Sequence, residues 1–395
     1  MKNSIGQRTA GQRLAFATIQ SFLNNKLNRG DVNATKTMKK SILILAILFP
    51  LWGLGGLFAQ TIRRCNNNPG VTGVNMYTTI QAAHDAAVAG DIIYVEPSDN
   101  DYGAVDIRKR LTIIGNGYYL DKSSNVSFDT RTSKLSTITF NNGSANSILT
   151  GVVVNSSCSI NDVSITITRC KLSNVAFGVS TNLVAGQNSR GNNGTITKCI
   201  VNGGNIAGQN SATVANQYGY NCAITNNIMF YGVTNMTNSV ISNNAFYTAA
   251  TGGGSTGSLF GCSVSNNIYD ARGLGSAIQF VTSGSGNTIS NNICLGQAAT
   301  PSGNGNVNFG DETITFLVSN PWTTASTEDS KFQLGVSSPA IGVGSGGTNA
   351  GAFGGASPYV LSGMPAYPVI TNYVVSGVGN ASTPLNVSVT VRGNN

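Results

Sequence analysis

Only one histidine stands among the 395 residues, and charged residues make up 10% of them. Any Ser-His-Asp arrangement or two-histidine metal site would depend on His84 alone, and no such constellation surrounds it. On the short helix expected there, His84 reads as a surface residue. Acids are as scarce, since between Asp162 and Asp311 the chain carries one other, Asp270. The seven cysteines are odd in number and lack CxxC spacing, which argues against zinc and against a fully paired disulfide framework. A basic stripe is missing too, although the formal net charge is +8. Residues 1–40 hold eight Lys or Arg against Asp31, 8 − 1 = +7, which leaves 8 − 7 = +1 for the rest. Electrostatic binding of nucleic acid is excluded on that distribution.

What the chain has is glycine, 48 of them, with 41% apolar residues and one phrase that returns four times. It reads Ile224-Thr225-Asn226-Asn227-Ile228, Ile241-Ser242-Asn243-Asn244-Ala245, Val264-Ser265-Asn266-Asn267-Ile268 and Ile289-Ser290-Asn291-Asn292-Ile293. A restart every 17 to 25 residues is the period of a structural repeat. Looser copies, Ile167-Thr168-Arg169-Cys170 and Ile196-Thr197-Lys198-Cys199, put cysteine where the later ones have the second asparagine. The phrase predicts a short strand ending in a tight bend. Asparagine tolerates left-handed backbone angles, and equivalent amides on stacked coils can bond one another in a ladder. One coil cannot bury its apolar face, whereas several stacked coils can.

The expected fold class is therefore all-β, a parallel β-solenoid, and the pattern resembles the right-handed parallel β-helix, or pectin-lyase-like, proteins. Two further stretches carry the resemblance. Tyr77-Thr78-Thr79-Ile80-Gln81-Ala82-Ala83, then Gly90-Asp91-Ile92-Ile93-Tyr94-Val95 and Leu111-Thr112-Ile113-Ile114-Gly115, looks like that family's opening coil. Thr78 with Gln81 reads as a capping box, and the resemblance implies a helix that plugs the N-terminal end. Lys331-Phe332-Gln333-Leu334, Ser338-Pro339-Ala340-Ile341-Gly342 and Gly351-Ala352-Phe353-Gly354 looks like its closing coil.

The expected organisation begins with residues 1–37 as an over-extended N-terminus. Residues 38–59 follow as a secretory signal peptide, with an uncleaved membrane anchor as the competing reading. Then come a polar approach at 60–76, the β-helix at 77–358 and a hairpin-like C-terminal appendage at 359–395. The appendage is of the type seen on secreted proteins of Bacteroidetes-like bacteria.

The family that the pattern resembles includes polysaccharide lyases and glycoside hydrolases, whose chemistry needs acids and bases gathered on one face. Asp162 and Asp270 fall about four coils apart, roughly 19 Å at the spacing of paired strands, too far for a glycosidase pair. Asp270 and Arg272 are the candidate catalytic pair, with an exposed ion pair as the plainer reading. Asp99, Asp101 and Asp106 are candidate calcium ligands, and acids that keep a sheet edge soluble are the alternative. Tyr231, Tyr247 and Tyr269, with Phe230 and Phe246, would either form a stripe that stacks on sugar rings or fill the core. Asn226, Asn227, Asn243, Asn244, Asn266, Asn267, Asn291 and Asn292 are the expected structural ladder. The cysteines are expected as buried fillers, and a disulfide between Cys170 and Cys199 stays open. Serine and threonine are abundant but show no regular Thr-x-Thr array, which weakens an ice-binding reading.

The resulting expectation is a secreted or cell-surface β-helix without catalysis, for adhesion or polysaccharide contact through loops at 184–194 and 248–257. No cofactor beyond calcium and no nucleic-acid partner are expected, and the membrane is met only during export. A lyase or hydrolase of acidic glycans is the first alternative, and a purely structural spacer the second.

Overall fold

The computed structural model describes residues 60–122, 129–178, 191–208, 219–247, 256–271, 278–296, 298–309, 327–336, 338–366, 368–380 and 382–393. Residues 1–59, with the expected leader, lie outside these, as do Arg272, most of the 184–194 loop and nearly all of 248–257.

Coil after coil, the chain lays one short strand on an 11-stranded parallel sheet and one or two more on a 15-stranded sheet. The first sheet grows in order through Thr112–Ile114, Ile148–Thr150, Thr166–Thr168, Thr195–Thr197, Ala223–Thr225, Val240–Ser242, Ser263–Ser265 and Thr288–Ser290. Each strand is in register with the next, so Ile113, Leu149, Ile167, Ile196, Ile224, Ile241, Val264 and Ile289 form one inward column. That column lies in a single continuous core, closed on its other side by inward residues of the second sheet such as Val154, Leu172, Val201, Met229, Phe246 and Tyr269. The solenoid expected from the repeat is thus the fold found.

The expected ladder of eight asparagines is corrected to its second members, because Asn226, Asn243, Asn266 and Asn291 bond the backbone of residues 343–354 instead. The first asparagine of each pair takes the left-handed bend, with φ near +55° at Asn226, Asn243, Asn266 and Asn291. Arg169 and Lys198 take the same backbone conformation in the looser copies. The second asparagine turns inward and is buried, as Asn227, Asn244, Asn267 and Asn292 all are. Their amides form the ladder, which continues one coil further to Asn306.

Three expectations are corrected at the N-terminal end. The polar approach holds a rung, because Ile62–Cys65 pairs in parallel with Ile92–Val95. Its paired arginines disguised it. Arg63 stands opposite the inward Ile93, and its guanidinium meets Asp91 at 2.9 Å and the Tyr77 hydroxyl at 3.2 Å. A charged head ends the apolar column there, because the strand beyond it, Met76–Tyr77, pairs with Arg64 and Cys65 and leaves Arg63 uncovered. The helix spans Ile80–Ala86, and the residue that caps it is Thr79, one later than expected. Gln81 does not return to the cap; its amide oxygen accepts from the Asp106 backbone N–H at 2.9 Å. His84, expected at the surface, is buried, and its Nε2 accepts from the Arg108 backbone N–H at 3.1 Å.

Residues 331–354 form no coil. They belong to a strap that runs back along the stack over the outside of the second sheet. Asn291 holds Val343 O, Asn266 bonds Ser345 N, Asn243 holds Asn349 O, and Asn226 holds Ala352 O and Gly354 O. Arg169 reaches Met364 O at 2.7 Å. Under the strap lies a second apolar cluster, in which Ile200, Ile228, Ala245, Ile268 and Ile293 meet Phe332, Ala340, Ala350, Ala352 and Tyr359. The last residue of each repeated phrase therefore faces outward, and full burial of one such isoleucine stabilises by about 1.5–3 kcal/mol. Beyond the strap, Val369–Ser376 and Asn386–Arg392 pair as an antiparallel hairpin, inside the hairpin-like appendage expected there.

Candidate functional site

Two places outside the core concentrate chemical character. The first is the outer face of the first sheet. Because register is kept, outward positions stack as two columns, Thr166, Thr195, Ala223, Val240, Ser263 and Thr288 beside Thr168, Thr197, Thr225, Ser242, Ser265 and Ser290. Ten of these twelve positions carry a hydroxyl, none carries a charge, and none is buried. Rungs lie about 4.8 Å apart and alternate residues about 6.6 Å apart, so the hydroxyls form a grid. The sequence, read without register, hid the array. Thr-Ile-Thr, Ala-Ile-Thr, Val-Ile-Ser, Ser-Val-Ser and Thr-Ile-Ser are unlike as strings and alike as rungs. Within the grid, Thr225 Oγ1 donates to Thr197 Oγ1 at 3.1 Å.

The second place is a polar latch at the open side of the strap. Glu328 Oε2 accepts from the Tyr119 hydroxyl, from Lys171 Nζ at 3.3 Å and from Asn202 Nδ2 at 3.3 Å. Lys171 Nζ also bonds the Tyr119 oxygen at 2.5 Å and sits 4.6 Å from the centre of its ring. Burial, then the hydrogen bond to Glu328 and its charge, raise the Tyr119 phenol above its ordinary value. Held protonated as a donor, it is a poor base for abstracting a sugar proton. Next to it, burial raises the Asp329 carboxyl above the usual range, against the opposing hydrogen bonds from Ser362 N and Ser330 N. The Tyr118 and Tyr359 hydroxyls bond each other beside it, and burial raises both phenols. None of these residues was singled out from sequence. They come from segments up to 241 residues apart, joined by a strap that no periodicity announces.

The residues singled out from sequence are dispersed. Asp270 is fully buried, which removes the exposed ion pair expected of it, and its proposed partner Arg272 lies outside the described residues. Asp162 spends both carboxylate oxygens on the backbone N–H groups of Gly143, Ala145 and Val163. Asp99 meets Arg131, Asp101 meets Gly103 N and Asn155, and Asp106 meets Arg108 and Asn141. Among the described residues, no three acidic, histidine or cysteine side chains converge as a metal site. Tyr269 is fully buried and packs on Phe280 at 4.8 Å, while Tyr247 lies under the strap near Phe332. Tyr231 is half-buried, so the recurring aromatics make no exposed stripe. All seven cysteines are free and buried. Cys170 and Cys199 stack on adjacent coils with thiols aimed at backbone carbonyls. Burial pushes the Cys222 and Cys294 thiols up to about 12.

Neither a protein-family model nor a curated protein matches the chain. No described helix is long and apolar enough to cross a membrane.

Proposed function

We propose that this is a secreted or cell-surface β-helix protein, related to the pectin-lyase-like solenoids, that binds without catalysis. It contacts extended, uncharged polysaccharide through the outer face of the first sheet. The observation that carries the reading is the two-column grid of hydroxyls over six successive rungs, free of charge. Hydroxyls both donate and accept, so such a grid exchanges hydrogen bonds with a polyol in many registers. Adhesion through many weak contacts is the expected mode, since simultaneous contacts multiply. The structure supplies a rigid support for that face, because the ladder and the core behind it are continuous.

The test is retention of the purified chain on insoluble neutral and acidic polysaccharides, with absorbance for unsaturated products and a reducing-end assay in parallel. Retention on neutral polymers without turnover is expected. Turnover of acidic glycans would replace this reading with the lyase alternative, and the absence of both signals would leave a spacer. The same grid also favours a second reading, adsorption to the regular water lattice of ice. Uptake of the chain into slowly grown ice would support that reading, and exclusion from it would remove it.

A further inference from the structure

We propose that Lys171 and Asn202 are the site of a self-formed isopeptide cross-link, with Glu328 as the proton shuttle. The two side chains sit on neighbouring coils. Lys171 pairs with Ile200, and Asn202 lies two residues beyond on the same outward side. Both donate to one carboxylate oxygen, Glu328 Oε2, at 3.3 Å each. An amine, a carboxamide and a carboxyl group held together in this way are the three groups that amide exchange needs. The Tyr119 ring covers the amine, and half-buried Val153 and Phe230 belong to the apolar cluster alongside.

The step balances without a redox partner. A proton passes from Lys171 Nζ to the Glu328 carboxylate, and the neutral amine attacks Asn202 Cγ. The Nζ–Cγ bond forms, the Cγ–Nδ2 bond breaks, and protons relayed by Glu328 leave with Nδ2 as ammonia. The oxygen and nitrogen of the Asn202 amide can exchange places by rotation, which lets the carboxyl group polarise the carbonyl. Held on one carboxylate oxygen, the groups react as one molecule rather than two, which is where most of the rate would come from. Glu328 belongs to the strap, so the bond forms only after the strap has closed over the coils. The cross-link would then join two coils covalently beside the strap.

The test is peptide mapping of the purified full chain by tandem mass spectrometry after trypsin digestion. Expected is a branched peptide joining Lys171 to Asn202, lighter by one ammonia, with no cleavage after Lys171. In the E328Q variant the rate of linkage should fall about 100-fold, the lower range for loss of a general acid–base group. Normal cleavage after Lys171 with Asn202 intact would overturn the proposal. So would ammonia loss at Asn202 alone, since Gly203 follows it and a succinimide loses the same mass. The readout involves no glycan, so its failure leaves the binding reading untouched.

Discussion

Asn244 donates from Nδ2 to Asn267 Oδ1 at 3.0 Å, and Asn267 repeats the contact to Asn292 at 2.9 Å. Each amide does more than join its neighbour. Asn244 also donates to Ile224 O at 2.9 Å, while its own Oδ1 accepts from both the backbone N–H and the side chain of Asn227 at 3.0 Å. A fully buried side chain thus bonds the backbone of the coil beneath it at two points. Cysteine in the earlier copies keeps the volume and loses most of these bonds.

Asn244→Ala should therefore be costly. It orphans Asn227 N inside the stack, at roughly 1–3 kcal/mol for an unsatisfied buried group, and takes from Ile224 O the bond that Asn244 adds to its ladder bond. Denaturant unfolding should show a fall in midpoint of that size with little change in slope. Alanine at Asn205, an exposed residue whose side chain accepts from the Gly232 backbone N–H at 2.9 Å, should cost less.

Lys198 offers the opposite sign. It occupies a left-handed bend at φ +56°, where other rungs carry asparagine, and Arg169 stands in the same slot one coil earlier. A side chain with a Cβ pays about 1–2 kcal/mol in that conformation, and asparagine is the residue that relieves it. Burial first, and the Arg169 charge second, lower the Lys198 pKa. Lys198→Asn should raise stability by about 1 kcal/mol, read as a higher unfolding midpoint.

The strap should detach before the coils unfold. Asn226 holds it at two carbonyls, Ala352 O at 3.0 Å and Gly354 O at 2.8 Å. Asn226→Ala removes both bonds and places alanine at φ +56°. Hydrogen exchange should quicken over residues 340–364 while the inward strands 223–225 and 240–242 stay protected. Equal loss in both regions would mean that strap and coils open as one unit.

Acid should act on the first rung. Burial tends to raise the Asp91 carboxyl, but bonds from the Val88 and Thr61 N–H groups and from Arg63 outweigh it, and the pKa is lowered. A depressed native value means stability that is present above the ordinary carboxylate range and lost as pH falls through the native value. Melting curves should show Asp91→Asn less stable than the parent at pH 7, with the gap closing in strong acid.

The β-strand repeat could be read from residues because a period of 17 to 25 is printed in the chain itself, and a fixed apolar residue before each asparagine pair marks the core. The bend and the ladder were legible for the same reason. Three features were not. The strap carries no period, since residues 331–354 bond with scattered glycine, alanine and serine backbone rather than with strands of their own. The first rung hides behind Arg63 and Arg64, which an end coil tolerates and an inner coil would not. The hydroxyl face emerges only once register sets serine above threonine, and register belongs to the stack rather than to any one strand.

The most direct measurement is co-sedimentation with insoluble neutral polysaccharide of the parent chain, a T197K/T225K double variant and a K171Q variant. Both lysines would stand in the middle of the hydroxyl grid, pointing outward and away from the core. If the first-sheet face is the contact surface, the parent and K171Q should sediment with the polymer, and the double variant should remain in solution while still melting cooperatively, at a slightly lower temperature. Sedimentation of the double variant equal to that of the parent would contradict the account.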